Sequence, residues 1–285
     1  MKIIVTGATG YIGSRIAGQL RQDGHVVYKL SRDVADISDF ASVRKFFDGI
    51  RPEIVVHAAA VSDIKACDND REKAAKANIT GTKCIASSCA VFGVRLVYLS
   101  TDQVYNYFEN VPLYEYVRPN PTNFYGITKL EGEHAVQATV TMHHILRLSW
   151  QFGAHEQGLP YRGGIYESAV NALKDKATIQ LSKGGTRHLT WVYDTIDVIR
   201  AATNMELPFG IYNVACKNTM SDYETYKFVF NKLGATAHDI SSLLVEDDDI
   251  MPRRLSAEPF NLYNAGYKLP TFEQSFENCL KLRAL

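Results

Sequence analysis

The N-terminal stretch constrains the fold of this chain more than any other. Lys2-Ile3-Ile4-Val5-Thr6 is short, β-branched and almost wholly apolar, the pattern of a strand buried on both faces of a parallel sheet. It runs directly into Gly7-Ala8-Thr9-Gly10-Tyr11-Ile12-Gly13, after which Ile12, Ile16, Ala17 and Leu20 recur at helical spacing until Gly24. A strand, a glycine turn and a helix N-terminus together make a diphosphate site. The glycines let the backbone come close, and the free N–H groups and helix dipole favour an anion. The spacing is G-x-x-G-x-x-G rather than the commoner G-x-G-x-x-G, and a glycine triplet alone is a weak motif. Between this strand and this helix it predicts a dinucleotide held by Gly7, Gly10, Tyr11, Ile12 and Gly13.

The strands that follow keep the same beat. His25–Leu30 forms a second strand ending at Ser31-Arg32. An acid here takes a ribose 2′-hydroxyl, whereas an arginine accommodates a 2′-phosphate. Ser31 and Arg32 are not acidic, so NADPH is expected ahead of NADH. Phe40, Val43, Phe46, Phe47 and Ile50 mark a helix closed by Arg51-Pro52. Ile54-Val55-Val56-His57 then leaves through Ala58, Ala59 and Ala60, small enough for a cofactor to lie on the backbone. His57 is expected to be a packed strand residue. A long helical region spans Arg71 to Phe92, and strand Arg95–Ser100 delivers Thr101-Asp102-Gln103-Val104-Tyr105 at its C-terminal end, where ligands of parallel sheets gather.

A helix opening after Pro121 carries Tyr125 and Lys129, four apart and therefore on one face. A phenol titrates near ~10, and a neighbouring ammonium favours its ionised form, so the pair can move a proton near neutral pH. Strand His144–Ser149 then ends at Trp150. Five strands alternating with helices predict an α/β fold with a doubly wound parallel (Rossmann) sheet in residues 1–150. Residues 151–285 are expected to form a smaller α/β substrate-binding part with interleaved elements. It opens with a mobile loop at 154–166. Helices are expected near 166–175, 195–205 and 223–233, and strands at Thr178–Leu181 and Ile211–Ala215. Glu246-Asp247-Asp248-Asp249 is expected to be solvated loop, not a metal site.

Composition narrows the partners. With 31 basic and 31 acidic residues, nothing draws the chain to nucleic acid or to an anionic membrane. Five cysteines without a C-x-x-C pair suggest neither a zinc site nor a disulfide framework. No signal peptide or membrane-spanning run is legible, so a soluble, cytoplasmic protein is expected.

The glycine turn, the Ser100-Thr101 strand tip and the Tyr125–Lys129 helix together resemble the extended short-chain dehydrogenase/reductases, which act on nucleotide-linked sugars. The resemblance implies that Thr101 hydrogen-bonds the reacting oxygen and Tyr125 supplies the proton. Lys129 would bind the nicotinamide ribose and lower the tyrosine pKa. A closer likeness, running through nearly the whole chain, is to the dTDP-4-dehydrorhamnose reductase family. Asp36-Ile37-Ser38-Asp39 and Arg51–Ala60 resemble its adenine and nicotinamide segments, and so do Ser100-Thr101-Asp102 and Asn123–Glu133. Leu146–Trp150 resembles the strand whose tryptophan packs on the deoxysugar, and Arg253-Arg254-Leu255-Ser256 its C-terminal substrate segment. The likeness implies cofactor contacts from Asp36 and Ile37, and substrate contacts from Thr101, Asp102, Gln103, Trp150 and Arg254.

The activity implied is NADPH-dependent reduction of the C4 ketone of a nucleotide-linked 4-keto-6-deoxyhexose, with NADH as the alternative cofactor and a homodimer as one assembly open to the chain. The family usually has Asp-Tyr-Val-Phe where this chain has Asp102-Gln103-Val104-Tyr105, and the 154–166 loop departs from its pattern. Related 4,6-dehydratases carry an Asp-Glu pair where Gln103 stands. An amide cannot accept the C5 proton, so dehydration is not expected. A nucleotide-sugar epimerase of the same superfamily, and a regulatory subunit like that of methionine adenosyltransferase, stand as alternatives.

Overall fold

The computed structural model describes residues 1–106 and 111–283. In chain order the strands are β1 (Lys2–Thr6), β2 (Val26–Leu30), β3 (Ile54–His57), β4 (Arg95–Thr101), β5 (His143–Leu148), β6 (Trp150–Phe152), β7 (Ile179–Ser182), β8 (Thr186–Arg187), β9 (Leu189–Trp191), β10 (Gly210–Val214), β11 (Leu244–Asp247) and β12 (Arg254–Leu255). The α-helices are α1 (Tyr11–Gln22), α2 (Phe40–Ile50), α3 (Ile64–Asn69), α4 (Arg71–Ala75), α5 (Gly81–Phe92), α6 (Phe124–Thr139), α7 (Ile165–Asp175), α8 (Val192–Thr203), α9 (Asp222–Lys232), α10 (Ala237–Leu243), α11 (Phe260–Asn264) and α12 (Phe272–Arg283).

Six of these strands form one parallel sheet in the order β2-β1-β3-β4-β5-β10. Period-two alternation sends Ile3 and Val5 to one face and Ile4 to the other, and all three are fully buried. Ile3 and Val5 pack with Ile16, Leu20, Ile196 and Ile199 under α1 and α8. Ile4 packs with Val43, Phe47, Ile85 and Val136 under α2, α5 and α6. Helices thus cover both faces, which is why the strand sequences lack polar alternation. The chain leaves β1 for β2 on one side and then crosses to β3 on the other. That reversal opens a crevice at the carboxyl ends of the two strands.

The predicted doubly wound sheet is present, with β10 from beyond residue 150 as its sixth strand. A second core (Phe152, Tyr166, Val229, Phe230, Phe272, Phe276) lies among α7, α9 and α12, with the Phe152 and Phe272 ring centroids 5.5 Å apart.

The structure corrects several local expectations. The Arg71–Phe92 region is α4 and α5 joined by a π-helical turn at Lys76–Thr80, and α3 precedes it unforeseen. The acidic run is only half loop. Glu246 and Asp247 end β11, which pairs with β7, and Asp248 and Asp249 turn beyond it. Among the described residues no helix is long and apolar enough to cross a membrane.

Candidate active site

A cavity of about 470 Å³ opens at the carboxyl ends of β1, β3, β4 and β5. Its floor is the glycine turn, with Gly7, Gly10, Tyr11, Ile12 and Gly13 all in the wall. Gly7 has φ +64°, and a Cβ there would stand 2.7 Å from the Ala59 nitrogen. A Cβ on Gly13 would collide with the Gly7 carbonyl. Gly7 and Gly13 therefore pack only as glycine. The N-cap of α1, Gly10, supplies no side-chain cap, so the first N–H groups of the helix are open to an anion.

Thr101 ends β4 and is buried. Its hydroxyl oxygen accepts from the Gln103 N–H (3.2 Å), and the hydroxyl reaches Asp102 Oδ1 at 3.3 Å. Tyr125 and Lys129 face it from α6, and both line the cavity. Asn123 sets the start of that helix, its Oδ1 accepting from the Gly126 N–H at 2.8 Å. Gln103 fastens the strand tip to the helix cap. Its amide donates to Asp102 Oδ1 (3.1 Å) and accepts from Asn123 Nδ2 (3.1 Å). A carboxylate could accept but not donate, so an amide at this position suits both bonds.

The electrostatics differ from the expectation for the Tyr–Lys pair. Burial pushes the Tyr125 phenol up to about 12, against a hydrogen bond with Thr101 and the charge of Arg162, which lower it. Burial also brings Lys129 down to about 7, with Glu133 opposing. The Lys129 ammonium lies over the Tyr98 ring, 4.1 Å from its centroid. In this geometry Arg162, not Lys129, is the cation that lowers the tyrosine. Burial raises Asp102 to about 6, against hydrogen bonds from Gln103 and Thr101.

His57 is a packed residue, as expected. It is fully buried, and burial, aided by Lys129, pushes its pKa down to about 3. Thr6 Oγ1 accepts from the Ala59 N–H (3.1 Å) and so donates to His57 Nδ1 (2.7 Å). Thr82 Oγ1 donates to the Asn78 carbonyl (2.7 Å), leaving it to accept from His57 Nε2 at 3.0 Å. Asn78, on the π turn, bonds both the N–H and the carbonyl of Val61 and donates to Thr128 Oγ1. Thr128 in turn donates to the Tyr125 carbonyl (2.8 Å). This buried chain joins the tips of β1 and β3 to the helix carrying Tyr125. Nothing local in the sequence marks Asn78 as part of it.

The remaining predicted residues divide. Ala58, Ala60, Asp102, Gln103 and Trp150 line the cavity. Trp150 is 47% exposed and therefore no core residue; the Arg187 guanidinium lies over its ring at 4.8 Å. Ala59 lies behind the wall on its bond to Thr6. Ser31, Arg32, Asp36 and Ile37 stand outside the cavity walls, beyond the end of β2. There Asp33 accepts a hydrogen bond from the Ser31 side chain. Asp36 holds a turn by accepting from the Ser38 N–H (2.9 Å).

Arg254 is not in the wall, but Arg253 and Leu255 are. Alternation along β12 turns the residue between them away. The sequence did not point to Arg162 and Arg187, and it marked Arg253 only as part of the substrate segment in which Arg254 was expected to make the contact; the three come from separate segments and converge on the cavity. Arg187 is held by a two-pronged bond to Asp222 (3.1 and 3.0 Å). The 154–166 loop, expected to be mobile, is tied down at Arg162, which donates to Ser62 Oγ (2.9 Å).

A family model described as the RmlD substrate binding domain matches residues 1–270. The chain is similar to the Bacillus subtilis spore coat polysaccharide biosynthesis protein SpsK, at 29% identity over 88% of this chain and 86% of that one. It is also similar to dTDP-4-dehydrorhamnose reductase of Mycolicibacterium smegmatis, at 27% identity over 82% and 70%. The crystal structure of Bacillus anthracis dTDP-4-dehydrorhamnose reductase in complex with NADP superposes with a TM-score of 0.86. At 24% identity, that match covers 98% of this chain and 97% of that one.

Proposed function

The chain belongs to the RmlD substrate binding domain family, and on that premise we propose that it reduces the C4 ketone of a nucleotide-linked 4-keto-6-deoxyhexose with NADPH. The observation that carries the proposal is one cavity with the glycine turn as its floor and Thr101, Tyr125 and Lys129 in its wall. The residues present fit the cofactor. There is no room for a Cβ at Gly7 or Gly13, the α1 N-terminus is uncapped, and Ala58 and Ala60 keep the neighbouring wall low. Gly7, Gly10, Tyr11, Ile12 and Gly13 would hold its diphosphate, and Lys129 its nicotinamide ribose. When bound, the reduced nicotinamide supplies the hydride. Arg32 favours the 2′-phosphate form; an acid, Asp33, follows it in the sequence, so NADH is the second cofactor to test.

The chain's own side chains do the rest. Tyr125 gives its phenolic proton to the C4 oxygen, and Thr101 holds that oxygen by a second hydrogen bond as negative charge builds there. In the dry wall the free phenol keeps its proton, as a general acid must. Lys129 sits on the same helical face, and the charge of Arg162 eases loss of that proton once the oxygen needs it. Trp150 offers an apolar wall to the deoxysugar, and Arg162, Arg187 and Arg253 offer cations to the nucleotide diphosphate. Gln103 sits where a dehydratase needs a base, and both ends of its amide are engaged, so reduction fits better than elimination.

The test is incubation of the protein with NADPH and a dTDP-4-keto-6-deoxyhexose, following loss of the reduced-nicotinamide absorbance. One equivalent of NADPH should disappear per sugar reduced. Interconversion of sugar epimers without net loss of NADPH would point to an epimerase instead.

A further inference from the structure

Arg15 lies on the helix that follows the glycine turn, with its side chain wholly shielded from solvent. Its Nε and Nη2 donate to Glu156 Oε1 at 3.0 and 2.7 Å. Nη1 donates to the Tyr11 and Pro160 carbonyls, both at 2.9 Å. The second oxygen of Glu156 accepts from the Tyr193 hydroxyl at 2.5 Å. One guanidinium therefore clasps residues 141 and 145 positions away in sequence. The segment it clasps, residues 153–164, contains no helix or strand, so side-chain ties must fix its course. The hydroxyl of Tyr11, in the glycine turn itself, is buried without a partner against Gly153, where that segment begins. Downstream of the clasp stands Arg162, which lines the cavity, bonds Ser62 and acts on Tyr125.

A buried ion pair is often no more stabilising than apolar residues of the same size. Stability alone therefore does not account for an arginine here. We propose that the Arg15–Glu156 pair is a positioning device: it holds the 153–164 segment on the cofactor-binding helix and so places Arg162 against the nucleotide diphosphate of the substrate. The inference rests on the function proposed above and adds to it. The turn that receives the cofactor and the segment that receives the substrate become one body, so substrate is read in a geometry set by the cofactor helix.

The experiment measures dissociation constants for dTDP by calorimetry in the presence of NADP⁺. The proteins are the wild type, Arg15→Met, Arg162→Met and the double variant, and NADPH affinity is measured separately for each. Arg162→Met should weaken dTDP roughly tenfold or more, the loss of a charge-assisted contact. Arg15→Met, remote from dTDP, should weaken it nearly as much while leaving NADPH affinity within about twofold. The double variant should be no weaker than Arg162→Met, because one residue acts through the other. A purely structural Arg15 would not produce that non-additivity. Should Arg15→Met fail to fold, Glu156→Gln, which keeps size and shape, takes its place in the same comparison. Multiplied effects in the double variant, an unchanged dTDP constant in Arg15→Met, or an inert Arg162→Met would overturn the positioning role alone. No dTDP binding by the wild type would overturn both this role and the proposed function.

Discussion

Tyr125 and Lys129 pull the protein in opposite directions. Tyr125→Phe keeps the ring and its packing and removes only the proton. A positioned acid contributes about 10²- to 10⁴-fold in rate. The loss should fall on kcat, with NADPH affinity and unfolding temperature unchanged. Wild-type turnover by the phenylalanine variant would remove Tyr125 from the mechanism. Lys129 is an ammonium buried at the site, with a folded pKa of about 7 against ~10.4 in an unfolded chain. Between those values the unfolded chain binds more protons, so this group makes stability rise with pH across that window. Its cost is fully present below about pH 7. Lys129→Met, which keeps most of the packed stem, should therefore raise the unfolding temperature while abolishing activity. The gain should be largest at pH 7 or below and shrink towards pH 10. A gain independent of pH, or a loss, would show that the buried charge is not what the site sacrifices. These two residues and Thr101 were legible because their spacing is local: one helical turn and one strand tip. Arg162 and Arg187 were not, because only the folded chain brings their segments together and neither carries a motif of its own; the segment of Arg253 was legible, but not which of its two arginines faces the cavity.

At the scale of elements, α6 carries Tyr125 and Lys129 on one face, and a buried pair anchors the helix one turn further on. Glu133, one turn after Lys129, receives Ser100 Oγ at 2.5 Å and pairs with Arg147 of β5 at 2.7 Å, both side chains almost wholly buried. Arg147 also donates to the Tyr105 hydroxyl (2.8 Å). The pair thus locks the helix to β4 and β5 beneath the site. Glu133→Ala strands a guanidinium in the interior and should cost about 3–5 kcal/mol in chemical denaturation. Replacing both partners by apolar residues should recover much of that loss. A single-variant cost under about 1 kcal/mol would mean that water reaches the pair. The main strands and helices were legible from apolar runs and periodicity, since both faces of the sheet are covered and its central strands β1, β3, β4 and β5 read as buried. The π turn at Lys76–Thr80 was not, because Lys76-Ala77-Asn78-Ile79-Thr80 contains no glycine or proline to mark a break in the helix. Nor was the sheet position of β10, which pairing with β5 decides across some sixty residues.

For the molecule as a whole, the packed sheet and the core among α7, α9 and α12 are joined by segments that frame the cavity, with the glycine turn as its floor on the sheet side and arginines facing it from later in the chain. The alternation of five strands with helices made the first half legible. The second half was harder, because its short strands (β6 with β9, β8 with β12) pair across long stretches of sequence and carry little pattern of their own. The central claim is that hydride leaves the cofactor for C4 of the sugar and stays there. An epimerase would return it, and a regulatory subunit that kept only the fold would not move it at all. The most direct measurement supplies NADPH carrying deuterium at the transferable C4 position of its nicotinamide, together with a dTDP-4-keto-6-deoxyhexose, and examines the sugar by mass spectrometry and NMR. One deuterium at C4 of the released sugar for each NADP⁺ formed is the predicted result. Sugar recovered without deuterium, or with no NADP⁺ formed, would contradict it.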